Sequence, residues 1–206
     1  GAAVVIGGLF ASPYFIGAQT ESNVREYVQL FDQEQIGYSA EVVSFERGWF
    51  SSNAVIRVGL DWATMLGERS APNTSTEVLV SIQHGPVLTD QGFSLGLAAW
   101  QARIDGTGLE QYVTWDAQQP LYLNQGSVSL TGTATYQDYI PQLSLTDFLP
   151  TVTMSVSEYR GDGRYTTGNF IYQGNYEQLQ IGIDDEMSGQ LNVDASAMVI
   201  HMDAEA

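Results

Sequence analysis

The spacing of apolar residues changes once along the chain, from a helical to a strand-like pattern. Between residues 20 and 35, apolar side chains recur at steps of three and four, and they are Val24, Tyr27, Val28 and Phe31. This spacing places them on one face of a helix. Thr20 or Ser22 is a suitable N-cap residue, and Gly37 follows the pattern. Segment 19–36 is therefore predicted to form one amphipathic helix.

After Gly37 apolar and polar positions alternate, which is the period of a β-strand. The predicted strands are 40–46, 53–61, 76–84, 93–104, 110–116, 127–136, 151–157, 179–183 and 191–197. Turn-forming clusters separate them at residues 71–73, 105–106 and 161–163. A second helix is predicted at residues 142–149, where four large apolar side chains cluster before Pro150.

The predicted fold class is mainly β, with a long curved antiparallel sheet over residues 37–206 that forms an open half-barrel or a sandwich-like structure. One face of the strands is apolar and the other is rich in Ser and Thr, which is typical of antiparallel strands with one wetted side. A sheet of this length must curl, close or pack on a second sheet to cover its apolar face. That face is either filled by side chains or open as an apolar trough, and the sequence leaves both alternatives standing.

Residues 1–18 contain no charged side chain. A spanning helix needs about 20 apolar residues, and Gly7, Gly8 and Pro13 make this stretch a poor helix in water. We therefore predict part of a signal anchor, a transmembrane segment or a signal peptide, and leave its cleavage open. Because the chain starts at Gly1 and stops after a strand-like run, we expect a segment of a longer protein, truncated at its C-terminus.

The charge balance excludes one class of partner. The chain has 24 acidic residues against seven arginines and no lysine, which gives a formal net charge of −17. Such a surface repels nucleic acid and anionic lipid headgroups. The acids are scattered, as on a solvated surface suited to a salty habitat. Cysteine is absent, which excludes thiol catalysis, cysteine-bound metal and disulfides in this chain.

Two short motifs follow the predicted helix. Residues 46–52 read ERGWFSS, and residues 83–86 read QHGP. In this order, after an apolar N-terminal stretch and a helix, they resemble the N-terminal part of the YdgA-like family of bacterial proteins, domain-of-unknown-function family 945. Residues 1–90 carry the resemblance best. It implies an envelope protein at the periplasmic face of the inner membrane, in a family whose biochemical role is not established.

The motif residues have structural explanations beside functional ones. Gly48 permits a turn or bulge. Trp49 and Phe50 are expected on opposite faces of a strand, one in the core and the other against the helix. His84 either caps backbone groups or changes its charge near neutral pH. The candidate binding residues are Arg47, Gly48, Trp49, Phe50, Ser51, His84, Gly85 and Pro86.

No catalytic residue, metal site or cofactor is predicted. A triad of Ser51 or Ser52 with His84 and an acid lacks the nucleophile elbow that such a serine occupies in many hydrolases. The two histidines, His84 and His201, belong to no ligand-spaced cluster. Asp162 is better explained as a turn residue than as a calcium ligand.

The sequence therefore favours a non-catalytic, membrane-tethered periplasmic envelope protein. Its curved sheet is expected to bind an apolar ligand such as a lipid, or a protein partner. One alternative is a structural scaffold that associates with itself as a homo-oligomer. A second alternative, from a different class, is a periplasmic hydrolase that uses His84; it requires a serine or carboxylate within hydrogen-bond reach of the imidazole.

Overall fold

The computed structural model of the chain describes residues 20–31, 37–66, 69, 71–89, 93–149, 152–166, 169–185 and 189–205. The predicted membrane segment at residues 1–18 lies outside these ranges. Among the helices that are described, none has both the length and the apolar character needed to cross a membrane.

Two helices and fourteen strands make up the described chain. The helices are α1 (Thr20–Phe31) and α2 (Trp62–Leu66). The strands are β1 (Tyr38–Arg47), β2 (Ser51–Asp61), β3 (Asn73–His84), β4 (Val87–Leu88), β5 (Ser94–Leu95), β6 (Ala98–Ile104), β7 (Val113–Trp115), β8 (Tyr122–Val128), β9 (Ala134–Ile140), β10 (Leu143–Leu149), β11 (Val152–Val156), β12 (Tyr159–Thr166), β13 (Asn169–Asp185) and β14 (Gly189–Glu205).

Twelve of these strands form one antiparallel sheet, and β4 and β5 form a separate small hairpin. Two breaks interrupt long strands without changing their register. Ile140 pairs with Tyr159, and three residues further along Leu143 pairs with Val156. Strands β9 and β10 therefore act as one long strand beside a second one made of β11 and β12. In the described part of the chain β1 pairs only with β2 and β14 only with β13, so the sheet is not closed.

The sheet is strongly curved. Strand β10 lies four strand positions from β2, which in a flat sheet is about 19 Å. Nevertheless Phe148 of β10 meets Trp62, which directly follows β2, edge to face with ring centroids 5.0 Å apart. The prediction of a mainly β chain with a long antiparallel sheet that is not closed is confirmed.

The inner face of the curve is filled by the protein's own side chains. Across neighbouring strands, one row alternates large rings with glycines, in the order Trp100, Gly126, Tyr136, Gly163 and Tyr172. The rings lie directly over the glycines: a Cβ atom at Gly163 would stand 2.0 Å from Cζ of Tyr136. Val24 and Val28 of α1 belong to the same buried cluster. The described residues therefore form a core and not an open apolar trough.

A buried polar chain runs through this core. The indole of Trp100 donates to Asn124 Oδ1 at 2.7 Å, and Asn124 Nδ2 donates to Asp138 Oδ1 at 2.8 Å. The hydroxyl of Tyr122 also donates to Asp138, at 2.5 Å. Burial raises the pKa of the Asp138 carboxyl and the pKa of the Tyr122 hydroxyl. Because buried polar groups are costly without partners, this chain fixes how β6, β8 and β9 meet.

Most predicted elements are confirmed. The predicted helix is observed as α1 over Thr20–Phe31, and residues 32–36 lie outside the described ranges. The strands predicted at 40–46, 53–61 and 76–84 are β1, β2 and β3, and the later predictions at 179–183 and 191–197 fall within β13 and β14.

Four local predictions are wrong. Segment 93–104 is not one strand, because β5 pairs with β4 in the small hairpin and β6 begins at Ala98 in the large sheet. Segment 127–136 is not one strand, because β8 ends at Val128 and β9 begins at Ala134, with Gly132 in the turn at a φ of 84°. Residues 142–149 form strand β10 and not a helix, since Leu143 and Leu145 pair with β11 and β7. Residues 161–163 lie inside β12 and not in a turn. Their two glycines make room for tyrosine rings.

Candidate functional site

The two sequence motifs meet at one corner of the sheet. Residues 48–50 form the loop between β1 and β2, where Gly48 N–H donates to the Ser51 carbonyl at 2.7 Å. A Cβ atom at Gly48 would lie 3.0 Å from that carbonyl oxygen. The His84 N–H at the end of β3 donates to the Phe50 carbonyl, also at 2.7 Å. The motif residues around 47–51 and 84–86 are therefore neighbours in space.

His84 lies on the same face of β3 as the buried Ile82 and is itself partly buried. Its Nε2 atom is 2.9 Å from the Ser52 hydroxyl, whose residue is 1% exposed. Burial, and secondarily the nearby positive charge of Arg47, lower the pKa of the His84 imidazole. The ring is therefore neutral at neutral pH. The hydrogen bond between its Nε2 atom and the Ser52 hydroxyl joins β3 to β2.

The Gly85–Pro86 corner has no room for a side chain. Gly85 N–H donates to the Leu97 carbonyl at 2.8 Å, and the peptide bond to Pro86 is cis. A Cβ atom at Gly85 would lie 1.9 Å from the Gly96 carbonyl oxygen, so only glycine fits. The chain then turns into the β4–β5 hairpin. Gln83 holds this hairpin through two hydrogen bonds to Thr89, of 2.7 and 2.8 Å.

Trp49 and Phe50 are both exposed, which contradicts their predicted placement in the core and against the helix. Trp49 is 95% exposed and Phe50 is 72% exposed. The prediction assumed that the strand continues through them. In the structure they lie at a hairpin tip, beyond the last row of paired residues, where no neighbouring strand covers them.

Other apolar side chains project from the same end of the sheet. Ser51, Gln83, Ala99, Ser127 and Thr135 form one cross-strand row, and three loops extend beyond it. Between them these loops expose six large apolar side chains, which we call the apolar rim: Trp49, Phe50, Val87, Phe93, Leu95 and Leu130. In the described part of the chain, the other large apolar side chains that are exposed are Val43 and Ile171. The rim is thus a local feature.

The described part of the rim loops is also poor in charge. The described loop residues at this end are 47–51, 84–89, 93–97 and 129–133, and Arg47 is their one permanently charged residue. Loops away from this end carry carboxylates, at Asp105, Glu110 and Asp116. The apolar and the acidic parts of the described loops therefore lie apart from each other.

A second concave feature lies on the outer face of the sheet. It is an open groove of about 450 Å³ with both polar and apolar lining, and its polar residues include Gln137, Asp162 and Arg164. Gln137 donates to Asp162 Oδ1 at 3.0 Å, so part of its hydrogen-bonding capacity is already used. None of the predicted motif residues lines this groove.

Sequence reasoning identified the motif corner but missed most of the rim. The sequence motifs did not include Val87, Phe93, Leu95 and Leu130. Large apolar residues close to turn-forming residues such as Pro86, Gly96 and Gly132 are nevertheless a usable signal of apolar loops. The described residues contain no group of three or more His, Asp or Glu side chains placed to hold a metal ion.

Comparison with known proteins gives a family. A family model described as "bacterial protein of unknown function (DUF945)" matches residues 1–205, well beyond the first 90 residues that carry the motifs. Neither the search of curated proteins nor the search of solved structures found a match.

Proposed function

We propose, from the premise that the chain belongs to the DUF945 family of bacterial proteins of unknown function, that it is a non-catalytic binding protein whose apolar rim contacts an apolar partner. The observation that carries this proposal is the rim itself. Six large apolar side chains on three neighbouring loops are exposed, while the inner face of the sheet is filled. Contiguous exposed apolar surface typically marks an interaction site.

The energy available at the rim is sufficient for binding. Fully burying one large apolar side chain contributes roughly 1.5–3 kcal/mol. Trp49 and Phe93 are at least 80% exposed, so contact with a partner would remove most of their surface from water. The backbone hydrogen bonds that Gly48 and Gly85 donate to the Ser51 and Leu97 carbonyls hold the loops in place. A preorganised surface loses less conformational entropy on binding.

The proposal extends to location and partner. We place the protein at the periplasmic face of the inner membrane, tethered through residues 1–18, because that stretch is uncharged and because the family resemblance suggests an envelope protein. The apolar partner is a lipid or another envelope protein. The scaffold alternative, in which copies of the chain associate with each other, would use the same rim.

Binding of the dye 8-anilinonaphthalene-1-sulfonate, whose fluorescence rises on apolar surfaces, tests the rim. We expect Trp49→Ser combined with Phe93→Ser to remove most of the dye fluorescence, with an unchanged circular dichroism spectrum. Val43→Ser is the matched control, because Val43 is exposed to the same extent as Val87 of the rim, 45%, but lies within β1. Equal fluorescence in the double variant and the parent would reject the proposal.

A hydrolase is a second candidate because Ser52 lies within hydrogen-bond reach of His84. The burial of Ser52 opposes it, since a nucleophile must reach its substrate. Moreover, no carboxylate in the described chain is hydrogen-bonded to the imidazole to complete a triad. Hydrolysis of p-nitrophenyl acetate by the parent and by Ser52→Ala decides: a rate that falls to background in the variant favours the hydrolase, and equal rates reject it.

A further inference from the structure

We infer that the partner of the apolar rim is the interface of a lipid bilayer, into which the three rim loops insert side by side. This inference rests on the proposed function and narrows it to one partner. Its first support is the shape of the rim. The side chains of Trp49 and Phe93 project from loop tips and are 95% and 80% exposed. They form projections and not a groove.

A projecting rim fits a deformable partner better than a second copy of the chain. Two identical rims would meet projection against projection, whereas stable protein interfaces need complementary surfaces. The facing strands of the β1–β2 and β8–β9 hairpins, β2 and β8, are three strand spacings apart, about 14 Å along the sheet, and the β4–β5 hairpin connects the two strands between them, β3 and β6. A bilayer interface accepts such a row of tips without a matching pocket.

The residue types of the rim agree with this partner. Tryptophan is enriched at the membrane interface, where its apolar ring is buried and its N–H reaches the polar layer. Further apolar surface comes from the other exposed rim side chains, among them Phe50, Phe93, Leu95 and Leu130. Arg47 at the base of the first loop is suited to a phosphate group, which guanidinium binds with two parallel hydrogen bonds.

The distribution of charge indicates which end of the protein faces the bilayer. The described rim loops carry no carboxylate, Asp90 of the β4–β5 connection lies outside the described residues, and the exposed acids Asp105, Glu110 and Asp116 lie in loops away from the rim. For a chain with a net charge of −17, we therefore expect contact with lipid through the described loops that hold the fewest acids. At about 10 mM salt the Debye length is about 30 Å, comparable to the length of a strand, so the distant acids still act on an anionic surface.

The absence of native cysteine allows a position-specific test on the full chain. Single cysteines at rim positions, Phe93→Cys and Leu130→Cys, carry a polarity-sensitive fluorophore. Val43→Cys, within β1, and Glu110→Cys, in a loop away from the rim, are the controls. Each labelled protein is mixed with vesicles of phosphatidylcholine, with and without nitroxide-labelled lipid. Circular dichroism checks that every variant is folded.

We expect both rim labels to shift to shorter wavelength and to be quenched by the nitroxide lipid, and both control labels to remain unchanged. At about 10 mM salt we also expect stronger binding to phosphatidylcholine than to phosphatidylglycerol vesicles, with a difference that shrinks in about 1 M salt.

Other outcomes overturn the inference in distinguishable ways. If the protein floats with the vesicles while the rim labels do not respond, another segment holds the membrane. If the rim labels shift without lipid as protein concentration rises, the partner is a second copy. If nothing binds but the dye still reports the rim, lipid is wrong and the proposed function stands. If the parent and the Trp49→Ser, Phe93→Ser variant give equal dye fluorescence, the proposed function itself is rejected.

Discussion

At the scale of single residues, His84 shows how the fold sets the chemistry of a motif side chain. Its partial burial beside Ser52 and the nearby charge of Arg47 both favour the neutral imidazole. A neutral ring bonded to a buried hydroxyl is suited to joining two strands. The motif histidine therefore supports the rim loops. Gly85 and Pro86, which follow it, set the direction in which the chain enters the β4–β5 hairpin.

The lowered pKa of His84 predicts a specific pH dependence. The unfolded chain binds a proton at this histidine at a higher pH than the folded protein does. The contribution of His84 to stability is therefore complete above its unfolded pKa of about 6.5 and falls as the pH drops towards the folded pKa. We expect the urea midpoint of the parent to fall more between pH 7.5 and pH 5 than that of His84→Gln.

The comparison between parent and variant removes the contribution of the other titrating groups, including Asp138, whose raised pKa acts in the opposite direction. Parallel curves for the two proteins across this range would show that the imidazole is not held neutral.

The rim residues show where a rule about residue periodicity fails. Alternation predicts opposite faces for Trp49 and Phe50 only while the strand continues. The loop begins at Gly48, so both side chains leave the sheet. Sequence marked the RGWFSS and HGP residues, but the pairing of β2 with β3 that brings them together is a long-range contact, which no local pattern contains.

At the scale of elements, the row of rings and glycines determines how the central strands pack. Tyr136 lies over Gly163, and the three atoms nearest to an added Cβ there all belong to the Tyr136 side chain. We predict that Gly163→Ala lowers the free energy of unfolding by about 1–3 kcal/mol, the usual cost of an overpacked core. Urea denaturation measures this change.

A double-mutant cycle separates this contact from a general effect of alanine in a strand. In a Tyr136→Leu background the added methyl group meets a smaller side chain, so the cost of Gly163→Ala should fall by at least about 1 kcal/mol. The same cost in both backgrounds would mean that Tyr136 is not the neighbour that excludes a Cβ atom.

The strands themselves were largely predictable, because alternating patterns report which face is buried. Two of the errors, at residues 127–136 and 161–163, share one cause. Glycine was interpreted as a turn signal at Gly161 and Gly163, where it serves packing against tyrosine rings, and as a strand residue at Gly132, where it forms the turn. The role of a glycine depends on what lies opposite it in the sheet, which the local sequence does not record.

At the scale of the whole molecule, the acidic surface sets a measurable dependence on salt. A net charge of −17 destabilises the compact state through repulsion between like charges. Raising NaCl from about 0.01 to about 1 M shortens the Debye length from about 30 to about 3 Å. We therefore expect the urea midpoint to rise with salt at pH 7, and to rise less at pH 4, where many carboxylates are protonated. A midpoint independent of salt at pH 7 would contradict this account.

The mainly β fold class with a long antiparallel sheet followed from the sequence, because alternating apolar and polar positions extend over most of the chain. The filled inner face did not follow. The sequence of an apolar sheet face is the same whether side chains or a ligand cover that face. In this protein the side chains of Trp100, Tyr136 and Tyr172 cover it. Because the inner face is filled, the proposed site of contact with an apolar partner is the rim at the end of the sheet and not the inner face.

Hydrogen–deuterium exchange of the whole chain, with and without 8-anilinonaphthalene-1-sulfonate, tests that central claim most directly. Backbone amides covered by a bound apolar molecule exchange more slowly. The account predicts slower exchange in peptides that cover residues 47–51, 84–97 and 129–133, and unchanged exchange in the strands of the inner face. Slower exchange in β9 and β13 with no change in the rim loops would contradict it, because the apolar molecule would then enter the curve of the sheet.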